Sequence, residues 1–139
     1  MFEQCLYFNT AALARIVEKI WNAAFIPFDL TPSQAFMLRL ILKNPGLAQR
    51  SVASQLGIAK ATATRILLGL EKKRLIERKL TDDDHRFSLV YATQKAKKIS
   101  QALDQASGRV TKKIIKIIGK PEFIDTVTQI RQIRHSLDT

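Results

Sequence analysis

The chain has 139 residues, 46% hydrophobic, with 23 Lys and Arg against 12 Asp and Glu, a formal net charge of +11. That length suits one domain with a sizeable core, and the basic balance points to nucleic acid or another anionic surface. A single cysteine excludes an internal disulfide and fits a reducing cytoplasm, and only two histidines leave little room for a His/Cys zinc site.

No apolar run reaches the roughly 20 residues of a membrane span, and no basic stretch precedes an apolar block as in a secretory signal. Glycine-rich phosphate loops and Ser/His/Asp groupings are absent, so neither an enzyme nor a cofactor is expected. The charge is uneven. Residues 1–30 are net acidic, whereas residues 31–93 carry eleven basic against five acidic side chains and residues 94–139 ten against four. A polyanion would meet the middle and C-terminal thirds first.

In chain order, residues 3–26 read as a helix, because Leu6, Leu13, Ile16, Val17, Ile20, Trp21, Ala24 and Phe25 recur at helical spacing. Pro27 marks its end. "LTPSQ" then supplies a helix start, with Thr31 as N-cap, Pro32 at the first helical position and Gln34 closing a capping box. That helix runs to about Asn44. "LAQRSVASQLG" reads as a short helix with Val52, Ala53 and Leu56 inward and Gly57 in a left-handed C-terminal turn. "KATATRILLGLEKKR" is the next, with Ala63, Ile66, Leu67 and Leu70 on one face.

The period then changes. "IERKL" and "FSLVYA" alternate like paired strands, and "TDDDHR" between them supplies a turn. Thr93 caps a long helix to about Ile118, whose stripe of Ile99, Leu103, Ala106, Val110, Ile114 and Ile117 is close to a coiled-coil seam. Gly119 and Pro121 break it, and a last helix runs to about Leu137, with Phe123, Val127, Ile130 and Leu137 on one face. A seam of that length needs a cover, and dimerisation through both chain ends is the economical one. A tail folded back on its own chain is the alternative.

The fold class predicted is mainly α with a small β-hairpin wing: a winged helix-turn-helix at 31–93, with dimerisation helices at 1–26 and 94–139, in one domain spanning 1–139. In a helix-turn-helix the second helix enters the major groove, led by its N-terminal residues. Lys60, Ala61, Thr62, Thr64 and Arg65 suit that place, since short side chains let the backbone come close. The threonines can reach phosphates, Lys60 adds charge, and Arg65 can reach a guanine edge or a phosphate. The plain alternative is an amphipathic helix with a solvated face.

The three carboxylates Asp82, Asp83 and Asp84 stand out in so basic a chain. Arg86 is suited to a narrow, electronegative minor groove, and Asp84 two residues earlier can fork to its guanidinium and fix its direction. Asp82 and Asp83 cap turn amides and point away from phosphates. A solvated turn that touches nothing is the alternative.

On these stretches the chain resembles the MarR (multiple antibiotic resistance regulator) family of winged-helix transcription factors. The matching pieces are "LTPSQAFML", "ATATRILLGLEKKRLIER" and "DDDHRFSLVYAT", of which Asp84-x-Arg86 with Val90 and Thr93 is the most specific. The resemblance implies an obligate homodimer in the cytoplasm that binds a pseudo-palindromic double-stranded DNA operator with two recognition helices and two wings. It further implies repression of nearby genes, relieved by a small-molecule effector or by thiol oxidation. Arg74 stands where the family usually has Gly, at a cost of about 1 kcal/mol if positive φ is kept. Leu68 and Gly69 replace charged residues, Ala92 and Ala96 replace Leu and Gly, and Ala59 offers no N-cap side chain.

Cys5 lies near the predicted start of the first helix, where the dipole favours a thiolate, and one branch of the resembled family senses hydroperoxides through such a cysteine. Tyr7 or Tyr91 would orient it if close. A small apolar filler is the other reading of Cys5. For the whole chain, the competing function is a winged-helix protein- or RNA-interaction module without a specific operator.

Overall fold

The computed structural model describes residues 1–81 and 88–138. Helix α1 (Leu6–Phe25) begins with its apolar pattern at Leu6 rather than at residue 3, because Cys5 is the N-cap and its Sγ accepts from the Phe8 amide at 3.5 Å. A 3-10 turn at Ile26–Phe28 and a left-handed Asp29 (φ 56°) swing the chain into α2 (Pro32–Lys43). The start of α2 is as the sequence predicts. Thr31 Oγ1 accepts from the Gln34 amide at 3.2 Å while Gln34 Oε1 accepts from the Thr31 amide at 3.1 Å.

The next segment holds a strand that the sequence reading assigned to a helix. Leu47–Ala48 forms β1, and helix α3 covers only Gln49–Leu56. Two residues are too short for a period-2 signal, and their pairing partner lies some forty positions away. Gly57 closes α3 with φ 67°, a left-handed turn that a side chain would strain. Helix α4 (Lys60–Lys72) leads into β2 (Ile76–Leu80), which returns as β3 (Ser88–Ala92). The sheet order is β1-β3-β2, all antiparallel, with Leu47 opposite Val90 and Arg78 opposite the same Val90 from the other edge.

Helix α5 (Gln94–Ile118) starts at the predicted cap, Thr93, whose Oγ1 accepts from the Ala96 amide at 3.3 Å. The same hydroxyl donates to the Arg74 carbonyl at 2.8 Å, tying the base of the hairpin to the turn after α4. Arg74 does adopt positive φ (60°), a conformation that costs a non-glycine residue about 1 kcal/mol. Helix α6 (Lys120–Leu137) follows the break at Gly119.

One core joins these elements. Leu38 and Ile41 of α2, Val52 of α3, Leu67 and Leu70 of α4, Val90 of β3 and Leu103 of α5 are fully buried in it. Phe25 closes it from α1. Two polar contacts fix the long helices to this body: Trp21 Nε1 donates to Ser107 Oγ at 3.1 Å, and Arg39 Nε pairs with Asp104 at 2.7 Å. At the chain ends the apolar stripes stay open. Ile117 is 81% exposed, and no residue of α6 is buried. On α1, Val17, Trp21 and Phe25 turn toward the body, whereas Leu6, Leu13, Ile16 and Ile20 face away from it. No helix among the described residues is long and apolar enough to cross a membrane.

Candidate nucleic-acid interface

Helix α4 is held on its inner face by Ala63, Leu67 and Leu70, which are buried against α2 and α3. The helical repeat therefore turns Lys60, Ala61, Thr64 and Arg65 to solvent, and all four are exposed. Thr62 is only half-buried by comparison and sits at the edge of this stripe. It accepts a long hydrogen bond from Arg65 Nη2 at 3.4 Å, which lays the guanidinium along the helix surface. Thr64 Oγ1 donates to the Lys60 carbonyl at 3.0 Å, so in this state its hydroxyl proton serves its own helix.

Among the described residues no side chain caps the start of α4, since Ala59 occupies the N-cap position. The first-turn amides therefore point outward with the positive end of the helix dipole, beside Lys60. Such a start is chemically suited to a phosphate oxygen.

The tertiary structure adds neighbours that the sequence reading did not single out. A concavity of about 290 Å³ runs between α3, α4 and the first residue of β3, and Gln49, Arg50 and Ser88 line it together with Lys60 and Thr64. Ser88 had no local signal, because it reaches α4 only through the antiparallel pairing of the sheet. Leu68 continues the exposed stripe one turn beyond Thr64 and Arg65 and is 48% exposed. An apolar side chain there suits a thymine methyl better than a phosphate.

The hairpin base is braced from behind. Arg78 of β2 donates to both carboxylate oxygens of Glu71 on α4, at 2.8 and 3.0 Å, and reaches Gln49 Oε1 at 3.5 Å. These hydrogen bonds hold the Glu71 carboxyl below its ordinary range and raise the Arg78 guanidinium further. Three elements, α3, α4 and β2, are thus fixed by one side chain. Nothing in the spacing of residues 71 and 78 shows this, since the chain reverses at Arg74 between them. Asp84 and Arg86, the predicted wing pair, lie outside the described residues.

Cys5 stands apart from this surface at the tip of α1. Neither tyrosine is among the contacts of its sulfur. Tyr7 is 81% exposed, and Tyr91 lies in β3 with the Lys79 ammonium 4.9 Å from its ring centre.

Between α1 and the helix-turn-helix lies a second cavity of about 360 Å³. Val17 and Trp21 of α1, Pro32 and Phe36 of α2, and Leu56, Ile58 and Ile66 form its apolar walls, with Glu18 and Ser33 as the polar lining. It joins the N-terminal helix to the turn and to the recognition-helix candidate.

The family model for the MarR family matches residues 28–86. The uncharacterized HTH-type transcriptional regulator YybA of Bacillus subtilis (strain 168) is 30% identical over 87 residues, which are 63% of this chain and 58% of that protein. The match thus spans little more than half the length of that relative. In three dimensions the chain is similar to S. aureus MepR in its DNA complex, with TM-score 0.86 and 20% identity over 97% of this chain and all of that one. It is also similar to CouR from Rhodococcus jostii RHA1 bound to p-coumaroyl-CoA, with TM-score 0.83 and 18% identity over 100% and 98% of the two chains. At such identities the structural likeness establishes the winged-helix fold.

Proposed function

We propose that this chain, whose residues 28–86 match the MarR family model, is a sequence-specific, double-stranded-DNA-binding transcriptional regulator that works as a homodimer. The observation that carries this reading is the exposed stripe of α4. Lys60, Ala61, Thr64 and Arg65 stand there beside a helix start that no side chain caps. In this role α4 lies in the major groove, Arg65 reads a base edge, and Lys60 with the first-turn amides meets phosphates. Arg86, braced by Asp84, enters the adjacent minor groove.

Dimerisation is supported by the apolar surface that α1, the end of α5 and α6 leave uncovered. Two copies place two recognition helices on a pseudo-palindromic operator. Repression is relieved by a small molecule in the cavity between α1 and the helix-turn-helix. Its walls include Ile58 of the turn and Ile66, next to Arg65, so an occupant pushes directly on the reading helix. The relatives described as bound to DNA and to a coenzyme A thioester support both halves of this cycle. Cys5 is the less favoured trigger. It is the sole thiol of the chain, and its sulfur already serves as the α1 cap.

Selection of bound sequences from a random duplex pool, followed by salt titration, tests the reading. A two-fold-related consensus should emerge. Neutralising about 6–10 phosphates should make affinity fall by about 10³–10⁵ between 50 and 200 mM salt. Absence of a consensus, or a flat salt response, would favour a protein- or RNA-interaction module instead.

A further inference from the structure

We propose that the cavity between α1 and the helix-turn-helix takes an amphipathic organic cation: an aromatic body of modest size carrying one ammonium or quaternary nitrogen. The proposal deepens, and rests on, the reading of this cavity as the effector site. Its volume of about 360 Å³ falls in the range that encloses small organic ligands.

The chemistry of the lining selects the charge. Trp21 commits its only N–H to Ser107 at 3.1 Å, so what it offers a ligand is ring surface. Phe36 supplies a second aromatic wall. Both suit a cation, which is attracted to the face of an aromatic ring. Among the described residues the one charged side chain on the lining is Glu18, an exposed carboxylate. Like Glu77, Glu122, Asp125 and Asp138, it is in no ion pair among the described residues, but of these only Glu18 lines this cavity. A lone carboxylate at an aromatic cavity is informative in a chain of net charge +11.

An anionic ligand would fare poorly here. Among the described residues no Lys or Arg lines the cavity, and Glu18 would repel it. Arg39 lies over the Phe36 ring at 4.9 Å, but its charge is matched by Asp104 at 2.7 Å. The molecule offers a direct contrast in the groove between α1 and α5. That groove also has an apolar floor, but Lys19, Arg109 and Lys113 line it. The two cavities therefore sort ligands by opposite charge, and the one that touches the recognition helix is the one that favours cations.

The chain carries its own reporter, because Trp21 is the only tryptophan and lines the cavity. The full-length protein should be titrated with benzyltrimethylammonium, with its uncharged carbon isostere neopentylbenzene, and with phenylacetate, following tryptophan emission. The cation should bind about three- to tenfold more tightly than the isostere, the scale of an exposed charge pair plus one ring contact. Phenylacetate should bind weakest. Glu18→Gln should remove most of the cation's advantage and leave the isostere unchanged. Equal or tighter binding of phenylacetate, a cation preference that survives Glu18→Gln, or no emission change with any probe at millimolar concentration would overturn the proposal. Anisotropy of a labelled operator separates the two levels. Glu18-dependent cation binding without DNA release upholds the ligand class and overturns only the effector reading.

Discussion

The winged body and the terminal helices use the same kind of residue to opposite effect. In the body, Leu38, Ile41, Leu67, Val90 and Leu103 disappear from solvent completely, and elements from all of α2 to the first half of α5 share one core. In the terminal helices an equally apolar pattern stays open. Leu13 and Ile16 on α1, Ile117 on α5 and Val127 and Ile130 on α6 are each exposed. Large contiguous apolar surface is unusual on a monomer and marks a place where another surface belongs. The body covers its own apolar side chains, whereas the ends leave theirs open, as the proposed homodimer requires. In the proposed homodimer the body would hold the reading helix and the ends would set its spacing to the second copy.

The comparison can be broken most forcefully in the body. Leu38→Ala deletes a fully buried side chain and should cost about 2–5 kcal/mol, at every protein concentration, in a denaturant melt. At the ends, Val127→Asp should leave the body folded but weaken the homodimer by about 2 kcal/mol or more, because a charge would be buried without a partner. Sedimentation should then show a monomer where the wild type is a dimer. If Val127→Asp destabilised the chain as much as Leu38→Ala, at every protein concentration, the ends would belong to the core after all. A wild type that sedimented as a monomer at micromolar concentration would remove the dimer.

A test of intermediate size concerns the wing. Arg86→Ala should weaken operator binding by about 1–3 kcal/mol, the scale of one good groove contact, with Asp84→Ala losing less. Wild-type affinity in Arg86→Ala would leave the hairpin without a role in recognition.

The brace behind the wing gives a smaller, pH-dependent effect. Glu71 is held below its ordinary carboxyl value chiefly by hydrogen bonds from Arg78. Its contribution is therefore complete above about pH 4.5 and is lost as the pH falls through the lower, folded-state value. Both side chains are partly exposed, so the loss should stay below about 1 kcal/mol. Thermal melts at descending pH should show a steeper decline for wild type than for Glu71→Gln, and parallel curves would mean that the bridge contributes nothing. The least effect is expected at Cys5. Cys5→Ser keeps a capping acceptor for the Phe8 amide and should change stability by less than about 0.5 kcal/mol. Peroxide should leave operator binding intact in both forms. Loss of binding in the wild type alone would move the trigger to the thiol.

Much of this protein follows from local chemistry that a linear sequence carries. The capping box of Thr31 and Gln34, the Thr93 cap, the left-handed Gly57 and the change of period after Arg74 each depend on residues within a few positions of one another. The exposed face of α4 is equally local, because buried Ala63, Leu67 and Leu70 fix which way Lys60 and Arg65 turn. Other features depend on residues far apart. Strand β1 exists only because Val90 passes beside Leu47, and Ser88 joins the α4 surface only through that sheet. Gly69, which by sequence only replaces a charged residue, leaves room for Gln34: a Cβ there would lie 3.0 Å from its Nε2. The three-way brace of Arg78, and a cavity that brings Glu18 and Ile66 into one lining, likewise need elements that meet only after folding. Periodicity specifies that a residue is apolar and on which side of its helix it lies. Which surface comes to cover that side is decided by the packing of the whole chain, and for Leu13, Ile16 and Ile117 one chain does not supply the cover.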